Sequence, residues 1–384
     1  MRTSCKYGGR VKVSLMGTRG VPALHGGFET AVEEIGRRLA ARGYEVTVYC
    51  RNPGQQRTEY LGMTLVNAPA LRHRMTETLS HTAVSTVHAI IKDRPDVVLL
   101  LNAGNAPLLR PLQLAGIPTA IHLDGLESKR EKWRGVGARY YRWAERASVL
   151  WGDEVIADSQ AIADHVKAEY GRESVVIRYG AEIITPGSDR IAEFSLDQQG
   201  YHLIVARFEP ENHVLDAVSA YRLSAETRPL IVVGSAPYSH GYIDAVRAAA
   251  QDDPRIIFTG GIYDQQSLDQ LYANARTYIH GHSVGGTNPS LLRAMGAGVP
   301  VLAYDVEFNR EVTDSQAFFW ATEPELTAIF DQSAGEGLDE TFTEFTTNCL
   351  ARIAAVYQWD AVTDEYEALI QGLAARPKRK TSHS

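Results

Sequence analysis

The stretch His280–Tyr304, reading HGHSVGGTNPSLLRAMGAGVPVLAY, gathers residue types that can hold a phosphate. Gly285 and Gly286 carry no Cβ, so their N–H groups can approach a ligand closely. Asn288 suits an N-cap and Pro289 the first helical position, so a helix should start here with Ser290 in its first turn. Such a start has N–H donors without intrahelical partners and a partial positive charge, and both favour an oxyanion. Gly298 then suits a left-handed cap ahead of a strand Val299–Tyr304. An ordinary turn, helix and strand would need the same residues, and both readings stand.

Four further segments carry candidate chemistry. GTRGVPALHGGFET, Gly17–Thr30, has four glycines that let the backbone close over a ligand before a helix. No Lys-Ser/Thr pair follows them and no third glycine has the Rossmann spacing, which ranks a P-loop NTPase or an NAD-dependent oxidoreductase low. HLDGLESKR ends a strand with His122 and Asp124, which either face a ligand or are satisfied structural groups. VARFEPEN sets Arg207 past a strand end, where a guanidinium can make paired hydrogen bonds to phosphate oxygens. A surface arginine is the plainer reading. The turn at Gly260–Gln266 offers backbone groups near Ile262 and Tyr263 to a flat base.

These segments need strands and helices to position them, and the chain has two successive sets. Lys12–Met16, Glu45–Cys50, Asp96–Leu101, Pro118–Leu123, Glu154–Ala157 and Val175–Ile177 are short Val-, Ile- and Leu-rich runs, the pattern of a parallel sheet buried on both faces. Between the first two, Phe28, Val32, Ile35 and Leu39 share one helical face, with Glu33, Arg37, Arg38 and Arg42 turned away. The pattern lapses over 186–200, which reads as a linker, and restarts with His202–Ala206, Leu230–Gly234, Ile256–Gly260, Thr277–His280 and Val299–Tyr304. The expected organisation is therefore a first domain over 1–185, a second over 201–355, a closing helix over 356–374 and a disordered basic tail over 375–384. Open α/β sheets bind ligands beyond the carboxyl ends of their strands, so two such domains would share a crevice.

Composition agrees with a globular enzyme. The chain has 384 residues, 44% hydrophobic and 22% charged, and a formal net charge of −7, which argues against general nucleic-acid binding. It contains neither a membrane-length apolar run nor a signal peptide, so a cytoplasmic protein is expected. Cys5, Cys50 and Cys349 are scattered and form no disulfide or metal-ligand spacing. No metal site and no cofactor are expected.

The combination of GTRGVPALHGGFET, HLDGLESKR, VARFEPEN and GHSVGGTNPSLLRAMGAGVPVLAYDVEFNREV resembles the retaining GT-B glycosyltransferases of family 4. Within that family it is most similar to bacterial rhamnosyltransferases of capsule and cell-wall polysaccharide assembly. The resemblance spans about Val11 to Ala374. It implies a GT-B architecture, two Rossmann-like doubly wound domains facing a central cleft. A nucleotide-diphosphate sugar would be held mainly by the second domain and a glycan or lipid-linked acceptor by the first, with no required metal. Carried onto this chain, it sets Gly26 and Gly27 near the donor pyrophosphate and gives Arg207 a phosphate contact. Gly285, Gly286, Asn288, Pro289 and Ser290 would line the phosphate side, and Ile262 and Tyr263 the base. His122 would stand beside the reacting sugar and Asp124 near the acceptor hydroxyl, so His122, Asp124 and Arg207 are the candidate catalytic residues. The closing helix, with Trp359 and Tyr366 on one face, is similar to the family's helix that returns to the first domain.

Three positions depart from the family pattern, one of them Gly285, which stands where the first of two glutamates eight residues apart is usual. Asn212 stands where a Lys is usual, and Arg293 stands where a carboxylate usually holds ribose hydroxyls that an arginine cannot accept. The expectation is that Arg293 takes over phosphate charge from the missing Lys, or that the nucleoside is a deoxyribose, or that activity has lapsed. Seven Lys or Arg residues between Lys129 and Arg146 interleave with Trp133, Tyr140, Tyr141 and Trp143. That composition suits an anionic membrane face as well as a solvated helix. The leading expectation is transfer of rhamnose from dTDP-rhamnose, with retention, onto a lipid-linked surface polysaccharide at the inner membrane face. A sugar-nucleotide 2-epimerase and a catalytically silent binding subunit remain alternatives.

Overall fold

A computed structural model of the chain describes residues 10–23, 27–51, 56–71, 76–123, 125, 136–185, 187–234, 240–335 and 337–377. They form two units, one running to Tyr179 and resuming at Trp359, the other Gly180–Gln358.

The first unit is built on β1 (Lys12–Met16), β2 (Glu45–Cys50), β3 (Glu59–Tyr60), β4 (Met63–Asn67), β5 (Val97–Leu101), β6 (Thr119–Leu123), β7 (Glu154–Ala157) and β8 (Val175–Val176), in the sheet order 3-4-2-1-5-6-7-8. Every neighbour pair is parallel except β3 with β4, an antiparallel edge. Val13, Val48, Val98, Leu100 and Ile121 are almost fully buried, as expected of strands with helices on both faces. The order reverses at β1, which lies between β2 and β5, so the switch point of this sheet falls beside Gly17. Gly17 has φ +105°, and a Cβ there would lie 2.2 Å from the Leu101 carbonyl oxygen, so only glycine fits.

Helix Gly27–Ala41 buries Val32, Ile35 and Leu39 on the predicted face. Its opposite face is not left to solvent. Arg38 reaches Asp360 at 2.8 Å, and Arg42 reaches Asp364 at 2.6 Å and Glu367 at 2.7 Å, all on helix Trp359–Ala374. That helix buries both Trp359 and Tyr366, so the end of the chain is part of the first unit.

The second unit holds β9 (His202–Val205), β10 (Leu230–Val233), β11 (Ile256–Gly260), β12 (Thr277–His280), β13 (Val301–Tyr304) and β14 (Phe318–Trp320), an all-parallel sheet in the order 11-10-9-12-13-14. Its switch point is at β9, just before Arg207. The stretch 186–200, expected as a linker, instead packs on this unit. Ile191 and Leu196 are buried, Arg190 donates its N–H to Gln270 at 2.7 Å, and Gln199 donates to the Asn274 carbonyl at 2.8 Å. The division falls at Tyr179 rather than at 185. Of the expected tail, 378–384 lies outside the described residues.

Candidate functional site

In the second unit the candidate residues gather at the carboxyl ends of β9 and β12. Two loops are joined there. Ser283 donates its N–H at 2.9 Å and its hydroxyl at 3.1 Å to the Glu211 carbonyl, and His213 Nε2 meets the Ser283 hydroxyl at 3.0 Å. The His213 ring also stacks on Tyr304 at 4.0 Å and bonds Asp216 through Nδ1 at 2.5 Å. The VARFEPEN loop and the glycine-rich turn are thus held as one surface. Asn212, in the place of the usual Lys, is buried and donates to the Arg207 carbonyl at 2.7 Å. It fixes the loop and supplies no charge. The Arg207 side chain projects outward, and no hydrogen-bond or ion-pair partner reaches its guanidinium among the described residues.

The helix start differs from expectation in one important respect. Helix Pro289–Ala297 begins and ends as predicted, with Asn288 as N-cap and Gly298 in the left-handed conformation at φ +68°. Its donors, however, are largely satisfied. Asn288 Oδ1 accepts both the Ser290 N–H at 2.9 Å and the Ser290 hydroxyl at 2.7 Å, and that hydroxyl in turn accepts from the buried Tyr278 phenol at 3.0 Å. Pro289 has no N–H to give. What stays open is the turn ahead of the helix. Gly285 has φ +146°, and no atom lies within 4 Å of where its Cβ would be, so a ligand can rest against this backbone. Gly286 next to it is buried. Beneath them His280 is fully buried, its Nε2 has no partner, and burial pushes its pKa down to about 3, so the ring stays neutral.

Arg293 does not turn toward a phosphate. Its guanidinium bonds Asp269 at 2.7 Å through Nε and Gln265 at 2.6 Å through Nη2, tying helix Pro289–Ala297 to helix Gln265–Ala273. In place of the missing Lys charge, Arg293 presents a guanidinium whose positive charge is met by a carboxylate in this structure. Arg293 acts instead on the turn that holds Ile262 and Tyr263, since Gln265 is the first residue of the helix following that turn. Tyr263 is exposed and folds back over Gly261, and Asp264 caps the helix by accepting the Ser267 N–H at 2.8 Å.

In the first unit, His122 lies at the end of β6, and Gly27 opens the first helix. The structure brings these two together: the Phe28 ring meets the His122 ring edge-on at 5.4 Å, and Tyr179 closes on it at 5.8 Å. His122 is buried, its Nδ1 has no partner, and burial depresses its pKa to about 3. Such a ring serves as a neutral hydrogen-bond partner at ordinary pH and not as a cationic acid. Gly26 and Asp124 lie outside the described residues. The loop leading to Gly27 is braced by its own helix, with Glu29 accepting the Arg19 N–H at 3.0 Å and Glu33 the Ala23 N–H at 2.7 Å. Part of the expected backbone cradle is therefore already occupied.

Sequence reasoning missed Arg51, Arg19 and His81, which gather at the ends of β1 and β2. The available signal was an arginine immediately after a buried strand. Among the described residues no group of three or more His, Cys, Asp or Glu could hold a metal ion, and no helix is long and apolar enough to cross a membrane.

Comparison with known proteins agrees with this geometry. Residues 26–180 match the family described as Glycosyl transferase 4-like domain, and residues 200–332 match Glycosyl transferases group 1. The chain is 27% identical over 179 residues to the O-antigen chain mannosyltransferase B of Escherichia coli, an alignment spanning 46% of this chain and 46% of that relative. Among solved structures it is similar to sucrose-phosphate synthase from Thermosynechococcus elongatus, with 18% identity, TM-score 0.81, and 95% of this chain and 100% of that one covered. Anabaena HepE in complex with UDP-glucose has 16% identity and TM-score 0.77, covering 94% and 100%. WaaG, a glycosyltransferase involved in lipopolysaccharide biosynthesis, has 16% identity and TM-score 0.69, again covering 94% and 100%. At these identities the likenesses show the fold, a GT-B arrangement of two Rossmann-like domains.

Proposed function

We propose, from the premise that this chain is a GT-B glycosyltransferase whose halves belong to the 4-like and group 1 glycosyltransferase families, that it moves a hexose or deoxyhexose from a nucleoside-diphosphate sugar onto a surface polysaccharide. The observation that carries the donor half is Arg207, a guanidinium without a partner among the described residues, on a loop joined to the glycine turn open to a ligand. Paired hydrogen bonds from Arg207 to the diphosphate would stabilise the charge that develops as it leaves, which is the main catalytic work in a front-face transfer with retention. His122, neutral and with a free ring nitrogen, is assigned to the reacting sugar, and Asp124 to the acceptor hydroxyl.

Rhamnose from dTDP-rhamnose remains the preferred donor. Arg293 presents no acceptor for ribose hydroxyls and is held by Asp269, which suits a deoxyribose lacking one hydroxyl. A polysaccharide acceptor is supported by the relatives, one named for O-antigen chains and another for lipopolysaccharide. Peripheral membrane contact is supported by helix Val136–Trp151, where Arg139, Arg142, Trp143, Arg146 and Leu150 form one exposed stripe.

A panel of nucleotide sugars, read first by thermal stabilisation and then by NMR of the anomeric proton in the product, tests this reading. Stabilisation by dTDP-rhamnose above all others, transfer that persists in EDTA and a product whose anomeric configuration matches that of the donor are the expected results. Stabilisation by no nucleotide sugar would overturn the donor assignment, and an inverted product would overturn retention.

A further inference from the structure

The first unit carries cations that neither the donor nor the neutral His122 uses. Arg51 directly follows β2, and its N–H donates to the Arg19 carbonyl at 3.0 Å, so the loops after β1 and β2 are joined. Arg19 is exposed, and no partner reaches its side chain among the described residues. Arg51 is half-buried, and among the described residues its side chain bonds only the Thr78 hydroxyl, at 2.7 Å, leaving its buried Nε without a partner there. Neither guanidinium forms an ion pair among the described residues. Glu77 and Glu29 act on Arg51 from a distance, while burial and the Arg19 charge weigh against its own charge. Beside them His81 is fully buried on helix Glu77–His88, its ring near the Cys50 backbone and within reach of the Arg51 charge.

Leaving a guanidinium N–H buried without a partner costs stability, which a fold retains where a ligand supplies what is missing. Two guanidinia of one sign match an oxyanion of more than one charge. A phosphoryl group satisfies both cations, whereas a single carboxylate would leave one of them unbalanced.

Resting on the glycosyltransferase reading above, we propose that Arg19 and Arg51 form an oxyanion subsite of the first unit that holds a phosphoryl group of the acceptor. The subsite uses none of the second unit's residues assigned to the donor diphosphate. It selects acceptors that carry their sugar on a phosphate or diphosphate, and neutral glycans bind without its help.

The probe is inorganic pyrophosphate, titrated by calorimetry into the full chain saturated with whichever nucleoside diphosphate stabilises it most. One pyrophosphate should still bind. Arg51→Gln and Arg19→Gln should each weaken it by about tenfold or more, while nucleoside diphosphate affinity stays within about twofold. Arg19 is exposed, so Arg19→Gln carries the test if Arg51→Gln does not fold. Absence of binding to the nucleotide-saturated chain, or affinity indifferent to both substitutions, overturns the subsite. If no nucleotide binds at all, the donor reading fails by itself, and the same titration of the bare chain still decides the subsite. With turnover available, Arg51→Gln should raise the acceptor KM and leave the donor KM unchanged, and pyrophosphate should compete with the acceptor. Pyrophosphate that binds at Arg51 without competing marks a free-phosphate site and overturns the acceptor assignment.

Discussion

The loops after β1 and β2 and the helices around the second sheet treat their arginines in opposite ways. At the carboxyl ends of β1 and β2, Arg19 and Arg51 lie on joined loops without a carboxylate partner. Around the second sheet, Arg293 is paired with Asp269, Arg255 with Asp253, Arg276 with Asp339 and Arg310 with Asp305, and Arg207 stands apart from this pattern. Proximity to a helix start or a glycine turn therefore does not make an arginine a phosphate ligand. An arginine already joined to a carboxylate has little left to gain from an anion, while one half-buried without a partner gains the full charge-assisted bond. This criterion proposes Arg51 as a ligand group and Arg293 as a strut, and the exposed, unpaired Arg19 and Arg207 stand with Arg51 as candidates.

Acid gives the largest expected effect, and it falls on the first unit. Burial holds His81 at about 4, with the Arg51 charge pushing the same way, and holds His122 at about 3. Both folded values lie below the unfolded value near 6.5, so the unfolded chain takes up the extra protons. Their contribution to stability is complete above pH 6.5 and is lost as pH falls toward 4 and 3. At pH 5 each has lost roughly 2 kcal/mol. Hydrogen exchange of the β5 and β6 amides should accelerate steeply from pH 7 to 5 once corrected for intrinsic rates, and His81→Asn or His122→Asn should each remove about half of that dependence. A flat profile would mean that these rings reach water, and the contrast between partnered and unpartnered groups would fail with them.

Arg207 comes next. Arg207→Ala should weaken nucleoside diphosphate binding by about tenfold or more and weaken binding of the nucleoside alone far less, since a charge-assisted bond contributes roughly 1.5–3 kcal/mol. Thermal stability should be unchanged because no protein contact is lost. Calorimetry with both ligands decides it: equal weakening would take Arg207 away from the phosphates and leave the second unit with no free cation identified for the donor.

What the sequence made legible follows from the range of the interactions. The apolar strands β1, β2, β5, β6 and β7 were readable because burial on both faces gives continuous Val, Ile and Leu. Strand β4, with its exposed Thr64 and Asn67, and the short β3 and β14 were missed, because their runs are brief or broken by polar residues. Asn288 and Gly298 were legible as caps because a cap is decided within a few residues. The partners that decide the site lie farther off. Ser290 is held by Tyr278 twelve residues away, Arg293 by Asp269 twenty-four away, and Arg51 meets Thr78 across twenty-seven. No local pattern records which guanidinium will find a carboxylate, so the fold was readable while the roles of the arginines were not.

The smallest effect separates strut from ligand most directly. Arg293 and Asp269 are both about a third exposed or less, so solvent screens their ion pair, and Arg293→Ala should cost the second unit about 1 kcal/mol. The loss should appear in the turn that holds Ile262 and Tyr263, because Gln265 and Asp269 would no longer be tied to helix Pro289–Ala297. Affinity for the diphosphate should change by less than about threefold. Arg293→Glu restores a carboxylate but sets it against Asp269, so it should destabilise more than alanine does, and transfer should not improve. Arg293→Gln, which keeps a donor for Gln265 or Asp269 without the charge, should fall between wild type and alanine in stability. These outcomes are read from melting temperature, nucleoside diphosphate calorimetry and turnover on the same three variants. A tenfold loss of diphosphate affinity in Arg293→Ala at unchanged melting temperature would show that Arg293 leaves Asp269 when the ligand arrives, and a carboxylate partner in the free chain would then no longer identify a strut.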